Sequence, residues 1–515
     1  MPTRAREIRF GVRARLPLLL LFVLALLAPA LGPALRAQAA PAGTVTAALL
    51  SDPHLDPFRD PSRAKRLAAA PVAQWSAILA EPPAADAAAQ FANLQATCNE
   101  KLTDSDPALE LSAFDDAAKA HPSVVLVPGD MLVHGFACRY RTLLDPSGTD
   151  SSGLSDFAAK TIEFQLLQLQ QRFPEATIHF APGNNDTDCE DYALDEDSRL
   201  LHRLAPTISA GWRNTSAHDR DLARQDFMRF GSYALPMAAT LPNTRVIALD
   251  DLYLASDYKG TCGHQANRAS AAALLSWLRG QLAAARAAHQ AVWVLAHIPP
   301  EVNIYRTYLH PHDICHGQAP ATFFPDDTFA NLLVEYADTV RVFISGHSHV
   351  DEIHRIEGSD SAAPGVALKT VPSISPVSGN APAYLLAQID PGSATLVDYS
   401  KRVATAVSPA TPAGAEPSQA WRWSTAYDFR ERYSEPNFTA RSVSDLLHRW
   451  ETTPDAAATQ IDAYQTSLAS GLRLFAVRAT WPQQRCAMQH SSAAGFTACA
   501  CSAPGGMLPP AQNAK

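Results

Sequence analysis

Six short apolar runs punctuate the first two thirds of the chain: Val45–Leu50, Val124–Val127, Thr177–Ala181, Arg245–Leu249, Ala291–Leu295 and Val340–Ser345. Each is too short for a helix and is closed by Gly, Pro, Asn or Asp, which predicts buried β-strands. Between them lie stretches with apolar residues at helical spacing. These are the Ala-rich segment 63–120, 155–173 with Phe157, Ile162, Phe164 and Leu167, then Ala271–Ala288 and 326–338. Shorter strands are expected near 352–357, 366–371, 384–389 and 394–399. Strands alternating with helices predict an α/β fold with a layered sheet, the late strands adding an antiparallel part. Residues 404–420, rich in Ala, Pro, Ser and Thr, read as a linker. Beyond them 421–480 is helical in pattern (Leu446, Leu447, Trp450, then Ile461, Tyr464, Leu468). The stretch 421–515 is therefore expected to be a helical, Cys-containing cap on the main domain, residues 40–403.

The N-terminus changes where the chain is expected to work. Arg4, Arg6, Arg9, Arg13 and Arg15 precede an apolar stretch, Leu16 to Ala30, followed by Ala37-Gln38-Ala39. These are the charged region, apolar region and A-x-A site of a secretory signal peptide over residues 1–39. The apolar stretch falls short of the ~20 residues a membrane span needs, an uncleaved anchor being the alternative. The mature chain, without a transmembrane segment, is expected to be secreted or periplasmic. Its first 39 residues hold six Arg and one Glu, so the rest is near −14 against −9 for the whole chain. Such an acidic chain is not built for nucleic acid or for anionic lipid surfaces. Eight cysteines without a C-x-x-C pair point to disulfides rather than a zinc knuckle. The expected pairings are Cys262–Cys315 and a cluster among Cys486, Cys499 and Cys501.

Five of the expected strand ends carry metal-binding chemistry: Asp52 with His54, Asp130, Asn184, His297, and His347 with His349. Ligands of open α/β sheets bind outside the carboxyl ends of the strands, so these residues are expected to converge. Taken singly, Asp52 or Asn184 is an ordinary turn residue and His297 an ordinary packed histidine. Five strand ends together are not. Seven oxygen and nitrogen donors exceed the four of one tetrahedral ion and suit two ions sharing a carboxylate. Without a thiolate, zinc comes first, with manganese, iron or magnesium as alternatives. His347 and His349, spaced i and i+2, are expected to point to one side of an extended backbone, after a turn permitted by Gly346.

The order D-x-H, GD, GN-x-D, H, GH-x-H resembles the calcineurin-like metallophosphoesterase family over roughly residues 45–400. That resemblance implies a β-sandwich flanked by helices and a dinuclear centre hydrolysing phosphate esters. Carried over residue by residue, it implies that Asp52, His54 and His349 hold one metal, Asp130 bridges, and Asn184, His297 and His347 hold the other. Finer features resemble the acid sphingomyelinase-like branch: Ser51-Asp52-Pro53-His54-Leu55-Asp56-Pro57-Phe58, Gly129-Asp130 with His134, and Pro372-Ser373-Ile374-Ser375-Pro376 leading to Gly379-Asn380-Ala381-Pro382-Ala383-Tyr384. One position departs. Many members read G-N-H-[DE], with a His that protonates the leaving group, whereas Asn185 stands here, as in endopolyphosphatase-like relatives. The catalytic candidates are then His134 as proton donor, Asn185 as a phosphate hydrogen-bond donor, and Asp186 orienting a histidine ligand. The function expected is an exported phosphodiesterase acting on a small phosphate ester, a phospholipid head group or polyphosphate. Phosphomonoesterase or phosphoanhydride hydrolysis is the alternative, and a catalytically silent metal- or phosphate-binding protein the rival from another class. No serine nucleophile elbow and no phosphate- or dinucleotide-binding glycine loop is present.

Overall fold

The computed structural model describes residues 43–260, 268–307, 314–357, 364–406, 420–468 and 471–502. The expected signal peptide, Cys262 and most of the expected linker lie outside them. Among the described residues twelve strands form: β1 Val45–Leu49, β2 Val124–Val127, β3 Thr177–Phe180, β4 Tyr233–Ala238, β5 Leu241–Ala248, β6 Ala291–Leu295, β7 Val340–Ser345, β8 Glu352–Ile356, β9 Val366–Thr370, β10 Ala383–Ile389, β11 Leu396–Ala406 and β12 Trp421–Asp428. They make two six-stranded sheets, ordered β12-β11-β10-β1-β2-β3 and β4-β5-β6-β7-β9-β8. In the first, β1, β2 and β3 are parallel and β10 to β12 antiparallel. In the second, β5, β6, β7 and β9 are parallel, with β4 and β8 antiparallel at the edges.

The two sheets face each other. Lys369 of β9 lies 5.0 Å from the Tyr399 ring of β11, and His179 of β3 stacks on Tyr233 of β4. Trp293 of β6 donates from Nε1 to the Ala394 carbonyl beyond β10, at 2.8 Å. Parallel strands covered on both sides carry no polar face, and β2, β3 and β6 are buried at every position. Helices cover the outside. Pro107–Ala118 packs on β10 and β12, Arg268–Ala287 on β6, and Ala440–Thr452 on β8 and β9. No described helix is long and apolar enough to cross a membrane.

The fold matches the expected layered α/β class, and three particulars differ. β4 was not expected, because Pro236 interrupts its pattern; as an edge strand it tolerates the missing N–H, and its register shifts past that residue. Trp421–Asp428 is a strand, not the start of a helical cap, so the helices begin at Phe429–Tyr433. Its residues alternate between half-buried and exposed, a period of two. Trp423 leans on Tyr384 and donates from Nε1 to Ser112 Oγ at 3.0 Å. Disulfides between described residues are Cys98–Cys138, Cys486–Cys499 and Cys315–Cys501. Cys315 is therefore not paired with Cys262; the chain beyond β6 folds back onto the C-terminal helix Ala493–Ser502, which brings Cys501 to it.

Candidate metal centre

Asp52, His54, Asp130, His347 and His349 follow the ends of β1, β2 and β7, and all five have positive φ, between 45° and 72°. Side-chain-bearing residues avoid that region at a cost of about 1–3 kcal/mol each unless the surroundings impose it. Here they do. The Asp52 N–H donates to the Gly129 carbonyl at 3.1 Å, and that of His54 to the Asp130 carbonyl at 3.0 Å. The His347 N–H donates to Asp52 Oδ1 at 3.1 Å. Close approach also explains the glycines: a Cβ on Gly183 would overlap Asp130, and one on Gly346 would overlap Ser51 Oγ and Asp52 Oδ2. The left-handed turns correct one expectation. His347 and His349 do not leave one extended strand on the same side; they serve opposite halves of the site.

One half gathers Asp52, His54, Asp130 and His349, the other Asp130, His297 and His347, so Asp130 belongs to both. The His54 Nδ1–H donates to the Leu132 carbonyl and the His297 Nδ1–H to that of Pro128, each at 2.7 Å. A carbonyl only accepts, so each Nε2 is left with its lone pair. His54 Nε2 then faces His349 Nε2 at 3.1 Å and Asp130 Oδ2 at 3.6 Å. His297 Nε2 faces Asn184 Oδ1 at 3.0 Å, Asp130 Oδ2 at 3.2 Å and His347 Nδ1 at 3.3 Å. His349 Nε2 lies 3.3 Å from Asp52 Oδ1. Lone pairs crowded onto lone pairs in a buried site require positive charge between them, so this donor set fits a pair of cations. Burial pulls His54 down to about 4 and His347 to about 3, the neutral forms that ligation needs. Against its own burial, His297 is pushed up to about 10 by Asp130, so a proton would take up the Nε2 lone pair in the place a cation would hold.

Further contacts aim these groups. Asn184 donates from Nδ2 to Asp191 Oδ1 at 2.6 Å, which turns its carbonyl toward His297 and His347. Tyr192 OH lies 3.3 Å from His347 Nε2, and Ser378 Oγ 3.0 Å from His349 Nδ1. Asn185 spends both backbone N–H and side-chain amide on Asp130, at 2.8 and 2.9 Å. It therefore holds the shared carboxylate. Among the described residues Asp186 makes no hydrogen bond to a histidine. Its carboxylate accepts from the N–H groups of Met131, Leu132 and Gly183 at 2.8, 3.1 and 2.9 Å and ties the two glycine loops together. His134 stacks on His54 with ring centroids 4.2 Å apart, and its Nδ1 faces the Asp104 carboxylate at 3.1 and 3.2 Å. About a third of its side chain, 33 %, remains exposed. Burial would lower it, but Asp104 wins and raises it to about 9. Asp104, Asp191, Tyr192 and Ser378 were not candidates from sequence, since none follows a strand directly.

A family model described as calcineurin-like phosphoesterase matches residues 46–351. Among solved structures, a dimetal phosphatase from Danio rerio is similar at 14 % identity and a TM-score of 0.37, covering 69 % of this chain and 95 % of that one. A chain assigned as a 5′-nucleotidase from Staphylococcus aureus, in complex with alpha-ketoglutarate, is similar at 11 % identity and a TM-score of 0.27. That likeness covers 71 % of this chain and 51 % of the other. No curated protein matches the chain. With more than half its length matched, ligand motifs included, the chain belongs to the calcineurin-like phosphoesterase family.

Proposed function

We propose that the protein is an exported dinuclear phosphodiesterase, with Asp52, His54 and His349 holding one divalent cation, Asn184, His297 and His347 the other, and Asp130 shared. The carrying observation is the buried convergence of two lone-pair clusters on one carboxylate. When bound, two such cations neutralise phosphate oxygens and make a water nucleophilic near neutral pH. The chain's own residues do the rest. Asn185 and Asp186 hold the loops and the shared carboxylate in place. His134, braced by Asp104 and open to the crevice, stands where it can give a proton to the departing oxygen. The disulfides fit an oxidising compartment.

The diester reading rests on two spaces beside the centre, one touching His347 and one touching His349. A groove of about 590 Å³ begins at His347 and is walled by Val302, Phe323 and Val477. A second cavity, of about 420 Å³, touches His349 and includes Asn380, Lys401 and Arg432. A phosphate with a substituent on either side can use both. Zinc or manganese added to the full chain should give turnover of a chromogenic phosphodiester above that of the matching monoester. Asp130→Ala should lower it on the order of 10³-fold. Preference for the monoester or for polyphosphate would reject the diester assignment, and no turnover at all would leave a metal-binding protein.

A further inference from the structure

Farther along the groove that starts at His347, Glu301, Glu352 and His354 each bring one ligand-capable atom to within 4.8 Å of the others. None of them belongs to the dinuclear set. Glu301 follows His297 on the loop after β6, and Glu352 and His354 are on β8. Glu301 and His354 are only 5 % and 4 % exposed. Yet Glu301 Oε2 and His354 Nε2 have no hydrogen-bond partner among the described residues. Buried polar atoms left in that state cost about 1–3 kcal/mol each. A simple buried ion pair is the rival explanation, since Glu301 Oε2 lies 2.8 Å from His354 Nδ1. That ion pair engages only Nδ1, which also meets the Ala487 carbonyl at 3.3 Å, and leaves the buried Nε2 without a partner among the described residues. His354 thus repeats the arrangement of His54 and His297: Nδ1 against a backbone carbonyl, Nε2 bare. Glu352 Oε1 is 3.9 Å from that bare nitrogen, while Ser348 Oγ occupies Glu352 Oε2 at 2.6 Å.

We propose that Glu301, Glu352 and His354 form a third divalent-cation site, separate from the dinuclear centre and opening on the same groove. Two carboxylates and an imidazole, with no sulfur, suit manganese or zinc. The site's role, though not its existence, rests on the phosphoesterase reading: a phosphate-bearing substrate entering this groove meets two carboxylates, and a cation on them turns repulsion into attraction.

The test is the metal count of the full chain equilibrated with Mn²⁺, read by elemental analysis after gel filtration, with circular dichroism to verify folding. The wild type should hold about three equivalents, Glu301→Gln and Glu352→Gln about two, and Asp130→Ala about one. A wild-type count of two that Glu301→Gln leaves unchanged overturns the site. Should the variants fail to fold, anomalous scattering from Mn²⁺-soaked wild-type crystals decides without them. A peak among the three side chains sustains the site; filled dinuclear positions with nothing there reject it. If Asp130→Ala keeps every ion while Glu301→Gln loses one, the dinuclear reading fails and the third site stands.

Discussion

Gly183 and Asp130 are so close that a methyl group on the former would occupy the carboxylate of the latter, which shows how little slack the centre has. The same closeness governs its proton chemistry. His134 is fixed between the His54 ring and the Asp104 carboxylate, and Asp104 raises it to about 9, so it is protonated at neutral pH. A step that needs its proton is supported below that value and fades as pH rises through it. Cations bound at His54 and His349 oppose a further positive charge nearby, so the basic limb of kcat/KM should fall at or below about 9. Asp104→Asn removes the charge that holds the proton and should move the limb to lower pH. His134→Gln should slow an unactivated diester about 10²–10³-fold while sparing one with a nitrophenol leaving group. A loss of only a few-fold on the unactivated ester would make His134 a mere brace for His54.

At the scale of elements, the helix Pro107–Ala118 carries an internal liability. Glu110 is fully buried, and neither of its carboxylate oxygens has a hydrogen-bond partner among the described residues. Burial raises its pKa well above the usual 4.5, with only Arg172 pulling the other way. The folded chain then holds a proton that the unfolded chain releases, so stability is full below 4.5 and drains as pH climbs toward the folded value. Glu110→Met should add about 1–3 kcal/mol at pH 4, where only the unpartnered neutral carboxyl is removed, and more at pH 7, where the folded chain must also hold a proton that the unfolded chain has released, measured by urea unfolding at both; equal gains at the two would refute the ionisation argument. The same scale shows what the sequence could tell. Parallel strands buried on both faces leave continuous apolar runs, so β1, β2, β3, β6 and β7 were legible, and the donors just beyond them with them. β12 was not, because its inward positions, Trp421, Trp423, Thr425 and Tyr427, mark the strand period too briefly against the helical periodicity that follows. Asp104, Asp191, Tyr192 and Ser378 sit on connections whose path only the packed fold determines. The turns at His347 and His349 depend on backbone torsions that no spacing of residues encodes.

For the molecule as a whole, the two disulfides near the C-terminus matter through what they tie together. Cys315–Cys501 closes a separation of 186 residues, against 13 for Cys486–Cys499. On the chain-entropy view the long link is worth about 5 kcal/mol and the short one about 3. Val302, Ile314, Phe496 and Ala500 pack around these bonds in a small apolar cluster of their own. His490 Nδ1 and Ser492 Oγ each meet the Glu357 carboxylate at 3.0 Å, just past β8. The groove at His347 thus borrows one wall from the loop after β6, and that wall is pinned by the C-terminal helices. The lone-pair clusters, by contrast, follow strands deep in the main core. Cys501→Ser should therefore separate the two. Thermal unfolding should shift down by several degrees, and KM should rise for a diester long enough to fill the groove. Metal content at the dinuclear centre and kcat for a small substrate should stay near wild type. If kcat and KM for the small substrate fell together with the melting temperature, the C-terminal helices would be supporting the centre itself, and the division between core-held chemistry and a cross-linked groove wall would be wrong.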